Sequence, residues 1–170
     1  DGAALDGDLV AWNTMVNMLS TNSVSNEIYQ RVQGNNPDGK RNTSYPVYLD
    51  VGNYIDYMLA QYWSANSDWP GNNWRAFRDR IDSISTGFKF AMWDGEAGLG
   101  IWGDLSTDQT GLATGVAVMQ GRLLLNAEYR LRFADRIQKH MFNGGALTPE
   151  VTVPLYTGLA AMIEPALVAE

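Results

Sequence analysis

The chain has 170 residues, of which 45% are hydrophobic and 11% aromatic, and this is enough for one domain with a core of its own. It has no cysteine, which excludes disulfides, thiolate nucleophiles and cysteine-bound zinc. Its 19 acidic and 12 basic side chains give a net charge of −7, which argues against a nucleic-acid partner.

Three helical patterns precede the middle of the chain. Residues 8–19 have apolar side chains at helical spacing with Asp8 as the predicted N-cap, and residues 26–33 predict a short second helix. The third pattern is the strongest and predicts a long amphipathic helix with Asp50 as its N-cap. The residues of its apolar stripe are Val51, Tyr54, Ile55, Met58, Leu59, Tyr62 and Trp63.

A loop, a hairpin and a second loop are predicted next. Pro70 and Gly71 cannot continue a helix, so the polar residues around them predict a fixed loop. Residues 74–78 and 87–93 alternate apolar and polar side chains, which predicts a β-hairpin. Residues 95–115 are rich in glycine and have no periodicity, which is typical of a long ordered loop with a function.

The rest of the chain is predicted to be helical. We expect a helix over 116–125, then a helix capped by Asn126 and ended by glycines at 144 and 145. A last helix begins at Thr148, and Pro154 and Pro165 predict that it is kinked or broken. The fold class is therefore mainly α with a small β-hairpin: a single domain over 1–170, with five or six helices and the hairpin inserted after the longest amphipathic helix.

Asp68, Asn73 and Asp94 form the candidate site. Phosphoryl transfer needs a carboxylate that orients the attacking hydroxyl and oxygen ligands for magnesium. Asp68 and Asn73 have the spacing of the Asp and Asn in a kinase catalytic loop, and Asp94 ends a predicted strand, as the metal-binding Asp of kinases does. The order of helix, loop, hairpin and strand-terminal Asp is also that of a kinase C-terminal lobe.

Residues 48–59, 68–74, 87–96 and 128–137 resemble the CotH-type kinase family, the spore-coat protein kinases and their bacterial relatives. The most specific parts are the motif Asp68-Trp-x-x-x-Asn73 and the Trp-Asp pair that ends at Asp94. The resemblance implies the C-terminal lobe of an atypical protein kinase-like fold, a transferase that uses ATP and Mg²⁺ to phosphorylate Ser or Thr of a protein. It implies Asp68 as the catalytic acid, and Asn73 and Asp94 as metal and cofactor ligands.

Two features limit what the resemblance implies. Glu96 is either a second metal ligand, if it points the same way as Asp94 on an extended chain, or only a loop carboxylate. No glycine-rich phosphate loop and no strand lysine paired with a helix glutamate is found, so we expect poor ATP affinity from a fragment or natural half-domain that lacks the N-terminal lobe. Its partners would then be a protein substrate or that missing lobe.

Location is predicted only weakly by the sequence. No stretch approaches the roughly 18 to 20 apolar residues of a membrane span. The acidic charge and the low lysine content favour a secreted or cell-surface protein over a cytoplasmic one.

Other interpretations remain open. Asp68 and Asp94 are also residue types that brace turns. A carbohydrate-active protein would use Asp68, Asp94 or Glu96 as a carboxylate pair, with Trp69, Trp74 and Trp102 stacking on the sugar rings of a polysaccharide. A third hypothesis is an interaction module that keeps the fold without the chemistry.

Overall fold

The computed structural model describes residues 3–167, and this part of the chain is mainly helical with one small antiparallel sheet. This confirms the predicted mainly α class with a β-hairpin. The elements are α1 (Val10–Leu19), α2 (Asn26–Val32), α3 (Val51–Trp63), β1 (Trp74–Phe77), β2 (Lys89–Met92), a 3-10 turn (Gly95–Ala97), α4 (Ala117–Leu123), α5 (Ala127–Met141) and α6 (Pro149–Leu167).

The chain divides into two compact units, one ending at Arg132 and the other beginning at Phe133. All of the candidate site residues lie in the first unit. The second unit contains the end of α5 and all of α6. That residues 1–170 form a single domain stays a prediction.

Helix α3 forms because its two ends and its apolar face are all specified locally. The Asp50 carboxylate accepts a hydrogen bond from the Asn53 amide at 3.0 Å, which confirms the predicted N-cap. Most of the predicted stripe is buried, and Tyr54, Ile55 and Met58 are fully enclosed. The exceptions lie in the last turn, where Tyr62 is half-buried and Trp63 remains 39% exposed.

The hairpin is attached to α3 along the outer edge of β2. β1 and β2 pair antiparallel, with Trp74 opposite Met92 and Phe77 opposite Lys89. The Asn53 side chain accepts from the Phe90 amide at 2.5 Å and donates to the Phe90 carbonyl at 3.3 Å, so its carboxamide takes the place of a third strand. This contact fixes the hairpin against the first turns of α3.

Glycine is required where the chain enters β2. Gly87 has φ +94°, and a Cβ there would lie 2.6 Å from the backbone carbon of Leu49. Only glycine permits both this backbone conformation and this approach. The close approach lets the backbone of residues 48–50 pair with Phe88.

An aromatic cluster joins α1, α3 and the hairpin. Trp12 of α1 stacks on Trp74 of β1 with ring centroids 5.5 Å apart. Phe90 of β2 contacts Tyr54 and Tyr57 of α3, with centroids at 5.0 and 5.6 Å. Aromatic rings bury large apolar areas, so this cluster is a main source of stability in the first unit.

Four details of the predicted elements are wrong. Helix α1 begins at Val10 with Leu9 at the N-cap position, because the Asp8 carboxylate accepts from the Val10 amide at 2.9 Å, just before the helix. Helix α3 has 13 residues and is shorter than α5, with 15, and α6, with 19, so the hairpin does not follow the longest helix.

The other two details concern the C-terminal part of the chain and the strand ends. Helix α6 is not broken at Pro154 or Pro165 but continues to Leu167, because each proline removes only one backbone donor; that the prolines kink the helix stays a prediction. The strands are shorter than predicted, since pairing ends at Phe77 and Met92. In the described residues, no helix is both long and apolar enough to cross a membrane.

Candidate active site

The site loop, residues 64–73, leaves the end of α3 and is held by a buried asparagine. Asn66 is fully buried, and its Oδ1 accepts from the Asp68 amide at 3.1 Å. Its Nδ2 donates to Gln61 Oε1 of α3 at 2.9 Å. The backbone direction at Asp68 is therefore set from inside the protein, because both ends of one buried carboxamide are bonded.

The Asp68 carboxylate is held by two side-chain amides of its own loop. Asn72 Nδ2 donates to Oδ1 at 3.0 Å, and Asn73 Nδ2 donates to Oδ2 at 2.7 Å. Asp68 therefore does brace the turn, which was its alternative role. Each carboxylate oxygen has a second lone pair, so these bonds orient the group and still leave it able to accept a proton.

Asn73 and Asp94 lie at the open end of the hairpin, where Asn73 pairs with the residue that precedes Asp94. The Trp93 amide donates to the Asn73 carbonyl at 3.3 Å, and Asp94 follows Trp93 directly. Both residues have left-handed backbone conformations, with φ of 57° and 53°. Left-handed conformations outside glycine are strained and cluster at functional sites. Here they occur at the two predicted metal ligands and also at Ala65, Leu99 and Asn143.

The segment that carries Asp94 is tied directly to the site loop. The Ala97 carbonyl accepts from both the amide and the hydroxyl of Ser67, at 3.2 and 3.1 Å. Ser67 precedes Asp68, and Ala97 ends the 3-10 turn that begins after Asp94. The structure therefore brings the segment of Asp94 together with the site loop that carries Asp68 and Asn73.

Glu96 is placed differently from the prediction. Asp94 is left-handed and residues 95–97 form the 3-10 turn, so Asp94 and Glu96 do not lie on an extended chain and the alternation that would align their side chains is absent. Both are exposed, and within the described residues neither forms an ion pair. The role of Glu96 as a ligand stays a prediction.

The three loop tryptophans have different environments. Trp69 is 6% exposed, and its indole donates to the Tyr57 hydroxyl at 2.5 Å, which argues against its predicted stacking role because its ring is enclosed by protein. Burial raises the pKa of Tyr57 to about 12, so this hydroxyl stays neutral and can accept that bond. Trp74 is half-buried against Trp12, and Trp102 is 65% exposed.

Comparison with known protein families gives one match. The family described as CotH kinase protein matches residues 13–170, nearly the whole chain. This chain belongs to the CotH kinase family. No curated protein and no solved structure matches it. The matched range contains both the site loop and the hairpin, and the likeness to a kinase C-terminal lobe stays a prediction.

The two predicted metal ligands, Asp94 and Asn73, have side chains of the types that magnesium takes when it also binds phosphate. In residues 3–167 no three acidic or histidine side chains are grouped so as to hold a metal by themselves. Asp94 offers a carboxylate, and Asn73 offers its amide oxygen because its Nδ2 is used on Asp68. Mg²⁺ in phosphoryl-transfer sites typically takes one or two carboxylates and completes its shell with waters and substrate phosphates. This donor set meets that requirement.

Several residues that shape the site were missed by the sequence reasoning. Asn66 could have been found, since an Asn two residues before Asp68 is a turn signal. Two contacts gave no local signal, because their partners are far apart in the sequence. Gln109 bonds Asn66 across 43 residues, and Ser67 bonds Ala97 across 30. Such contacts depend on how the two loops pack.

Proposed function

We propose that this chain is the phosphoryl-transfer region of an atypical Ser/Thr protein kinase of the CotH type, using ATP and Mg²⁺. Asp68 is the group that accepts the proton of the substrate hydroxyl, and Asn73 with Asp94 binds the metal. Membership of the CotH kinase family supports the reaction class. The roles of the residues are supported by their arrangement in the first unit.

One observation supports this proposal most strongly. Asn73 donates to the Asp68 carboxylate at 2.7 Å, while its backbone pairs with Trp93 beside Asp94. A single residue thus connects the predicted base to the predicted metal ligand. Phosphoryl transfer depends mainly on positioning and electrostatics, so such a connection suits it.

The protein groups have separate tasks in this proposal. The two amides on Asp68 hold its carboxylate in one orientation, so that a free lone pair can take the hydroxyl proton. Asp94 supplies a negative charge and forms no ion pair in the described residues. When bound, magnesium neutralises the charge that develops on the transferred phosphoryl group.

Calorimetric titration of Mg-ATP into the chain tests the metal role. The variant is Asp94→Asn, because asparagine accepts the left-handed conformation and removes only the charge. The matched control is Asp79→Asn, which makes the same charge change at an exposed position outside the site. We expect Asp94→Asn to weaken Mg-ATP binding about tenfold or more, and the control to bind like the wild type. The titration extends to millimolar ATP, since the sequence has no glycine-rich phosphate loop.

A second experiment tests the role of Asp68. With labelled ATP and casein as a general Ser/Thr acceptor, we expect Asp68→Asn to remove transfer while Mg-ATP still binds. Loss of binding in this variant would contradict the role of Asp68 as the base. A wild-type chain that gives neither Mg-ATP heat nor transfer would overturn the kinase proposal.

A carbohydrate-active function is the alternative, and the exposure of two tryptophans favours it. Trp93 is 53% exposed and directly precedes the exposed Asp94, and Trp102 is 65% exposed in the glycine-rich loop that also contains Glu96. Exposed aromatic rings beside carboxylates suit sugar binding. Titration with an oligosaccharide in place of Mg-ATP distinguishes the two functions, and a chain that binds neither would be a non-catalytic module.

A further inference from the structure

The glycine-rich loop, residues 95–115, packs against the backbone of the site loop. A Cβ on Gly103 would lie 2.8 Å from the Ser67 Cβ, and a Cβ on Gly115 would overlap the Pro70 carbonyl oxygen. Gly98 also lies against the Ser64 carbonyl, where a Cβ would be at 3.2 Å. The glycines are therefore needed for contact, because any side chain would push the two loops apart.

One side chain of the glycine-rich loop enters the interior. Gln109 is only 8% exposed, and its Nε2 donates to the Asn66 carbonyl at 2.8 Å. A turn fixes Gln109 in place, since the Asp108 carboxylate accepts from the Thr110 amide and hydroxyl at 2.9 and 2.6 Å. Hydrogen bonds thus run from Gln109 to Asn66 and from Asn66 to the Asp68 amide.

The hydrogen bond of the buried Gln109 side chain goes to a residue of the site loop. Burying a carboxamide costs free energy unless both of its ends are bonded. Gln109 Oε1 accepts no hydrogen bond within residues 3–167, so only one end of the group is satisfied. What Gln109 provides is a directional contact to the residue that sets the backbone at Asp68.

We propose that Gln109 is a positioning residue for Asp68 and acts through Asn66. This proposal rests on the proposed phosphoryl transfer for its kinetic consequence, but the contact itself can be measured without activity. Gln109 does not touch the substrate. It holds the Asn66 backbone so that the Asn66 side chain can hold the Asp68 amide and thereby the direction of its carboxylate.

Amide hydrogen exchange of Asp68 tests the contact directly. Gln109→Met keeps the length of the side chain and removes the donor. We expect the Asp68 amide to exchange about threefold to tenfold faster in this variant, while the amide of Tyr54 in α3 is unchanged. The matched control is Gln120→Met. Gln120 lies on α4, is also buried, and accepts a hydrogen bond from the Tyr129 hydroxyl on α5.

Kinetics then test whether the contact matters for transfer. With Mg-ATP and casein, we expect Gln109→Met to lower kcat about 10- to 100-fold with the KM for ATP nearly unchanged, because misplacement by about 1 Å can have such an effect. The control should keep its kcat even if its Tm falls.

Three results would overturn the positioning role: unchanged exchange at Asp68, faster exchange with unchanged kcat, or an equal loss of kcat in Gln120→Met. A wild-type chain without any transfer would refute the proposed kinase function instead. In that case the exchange rate at Asp68 still decides whether Gln109 holds this residue.

Discussion

Helix α3 and the site loop follow each other in the chain, yet different forces hold them. In α3 the side chains of Tyr54, Ile55 and Met58 are fully buried, so apolar burial stabilises the helix and tolerates small adjustments. In the site loop the order comes from directional hydrogen bonds, such as those of Asn66 and Asp68. The site loop also contains residues with left-handed backbone conformations, which cost free energy.

This difference predicts which mutations should affect stability and which should affect binding or transfer. Changes in the apolar face of α3 should lower the free energy of unfolding and leave ligand affinity intact in the folded molecules. Changes at the site should affect ligand binding or phosphoryl transfer. They should lower the free energy of unfolding only a little, or even raise it. The following variants test this separation, from the largest expected effect on stability to the smallest.

Ile55→Ala should destabilise the chain most. Ile55 is fully buried, so the substitution loses apolar burial and leaves a cavity, and we expect the free energy of unfolding to fall by about 3 kcal/mol. Urea unfolding followed by tryptophan fluorescence measures this loss, and Ile55→Val serves as the graded control at about 1 kcal/mol. If the folded Ile55→Ala protein also lost Mg-ATP binding, the core and the site would not be separable.

Asp50 joins α3 to strand β2 through Lys89 and should give a pH-dependent effect. Burial by itself would raise the pKa of Asp50, but hydrogen bonds from Lys89 and the Asn53 amide, with the charges of Lys89 and Arg132, outweigh burial and hold the pKa below its usual value of 3.8. A carboxyl with a lower pKa in the folded state stabilises the fold above its unfolded pKa. This contribution is lost as the pH falls through the lower, folded pKa.

Asp50→Asn isolates this contribution, because asparagine still caps the helix. We expect the variant to be less stable than the wild type at pH 7 by up to about 1 kcal/mol, since the Lys89 contact at 2.6 Å is partly exposed. The difference should shrink once the pH falls below 3.8. Unfolding curves from pH 7 to pH 2 measure it, and a difference that stays constant with pH would contradict the ionic origin.

Asp94→Gly should have the smallest effect on stability, and of opposite sign. Glycine removes the strain of the left-handed conformation, so we expect a gain of about 0.5 to 1 kcal/mol in the free energy of unfolding together with loss of Mg-ATP binding. Asp79→Gly is the control and should lose stability, because the backbone at Asp79 is not left-handed. A loss of stability in Asp94→Gly would show that this conformation carries no strain.

The sequence by itself determined the elements whose causes are local. The stripe and cap of α3, the two alternating strands and the Asn126 cap of α5, which accepts from Tyr129 at 3.0 Å, were all predicted from neighbouring residues. Asp68, Asn73 and Asp94 were also singled out, from their spacing and from the family resemblance. Helical spacing, alternation and capping act within a few residues, so a single sequence contains them.

Only the tertiary structure decided how the loops close around the site. It placed Gln109 on Asn66, tied Ser67 to Ala97 and enclosed Trp69 against Tyr57. It also put Glu96 in a 3-10 turn that follows the left-handed Asp94, instead of placing both on an extended chain. These features depend on contacts between backbone segments that are distant in the sequence, at glycines that allow close approach. No local pattern of side chains specifies such contacts.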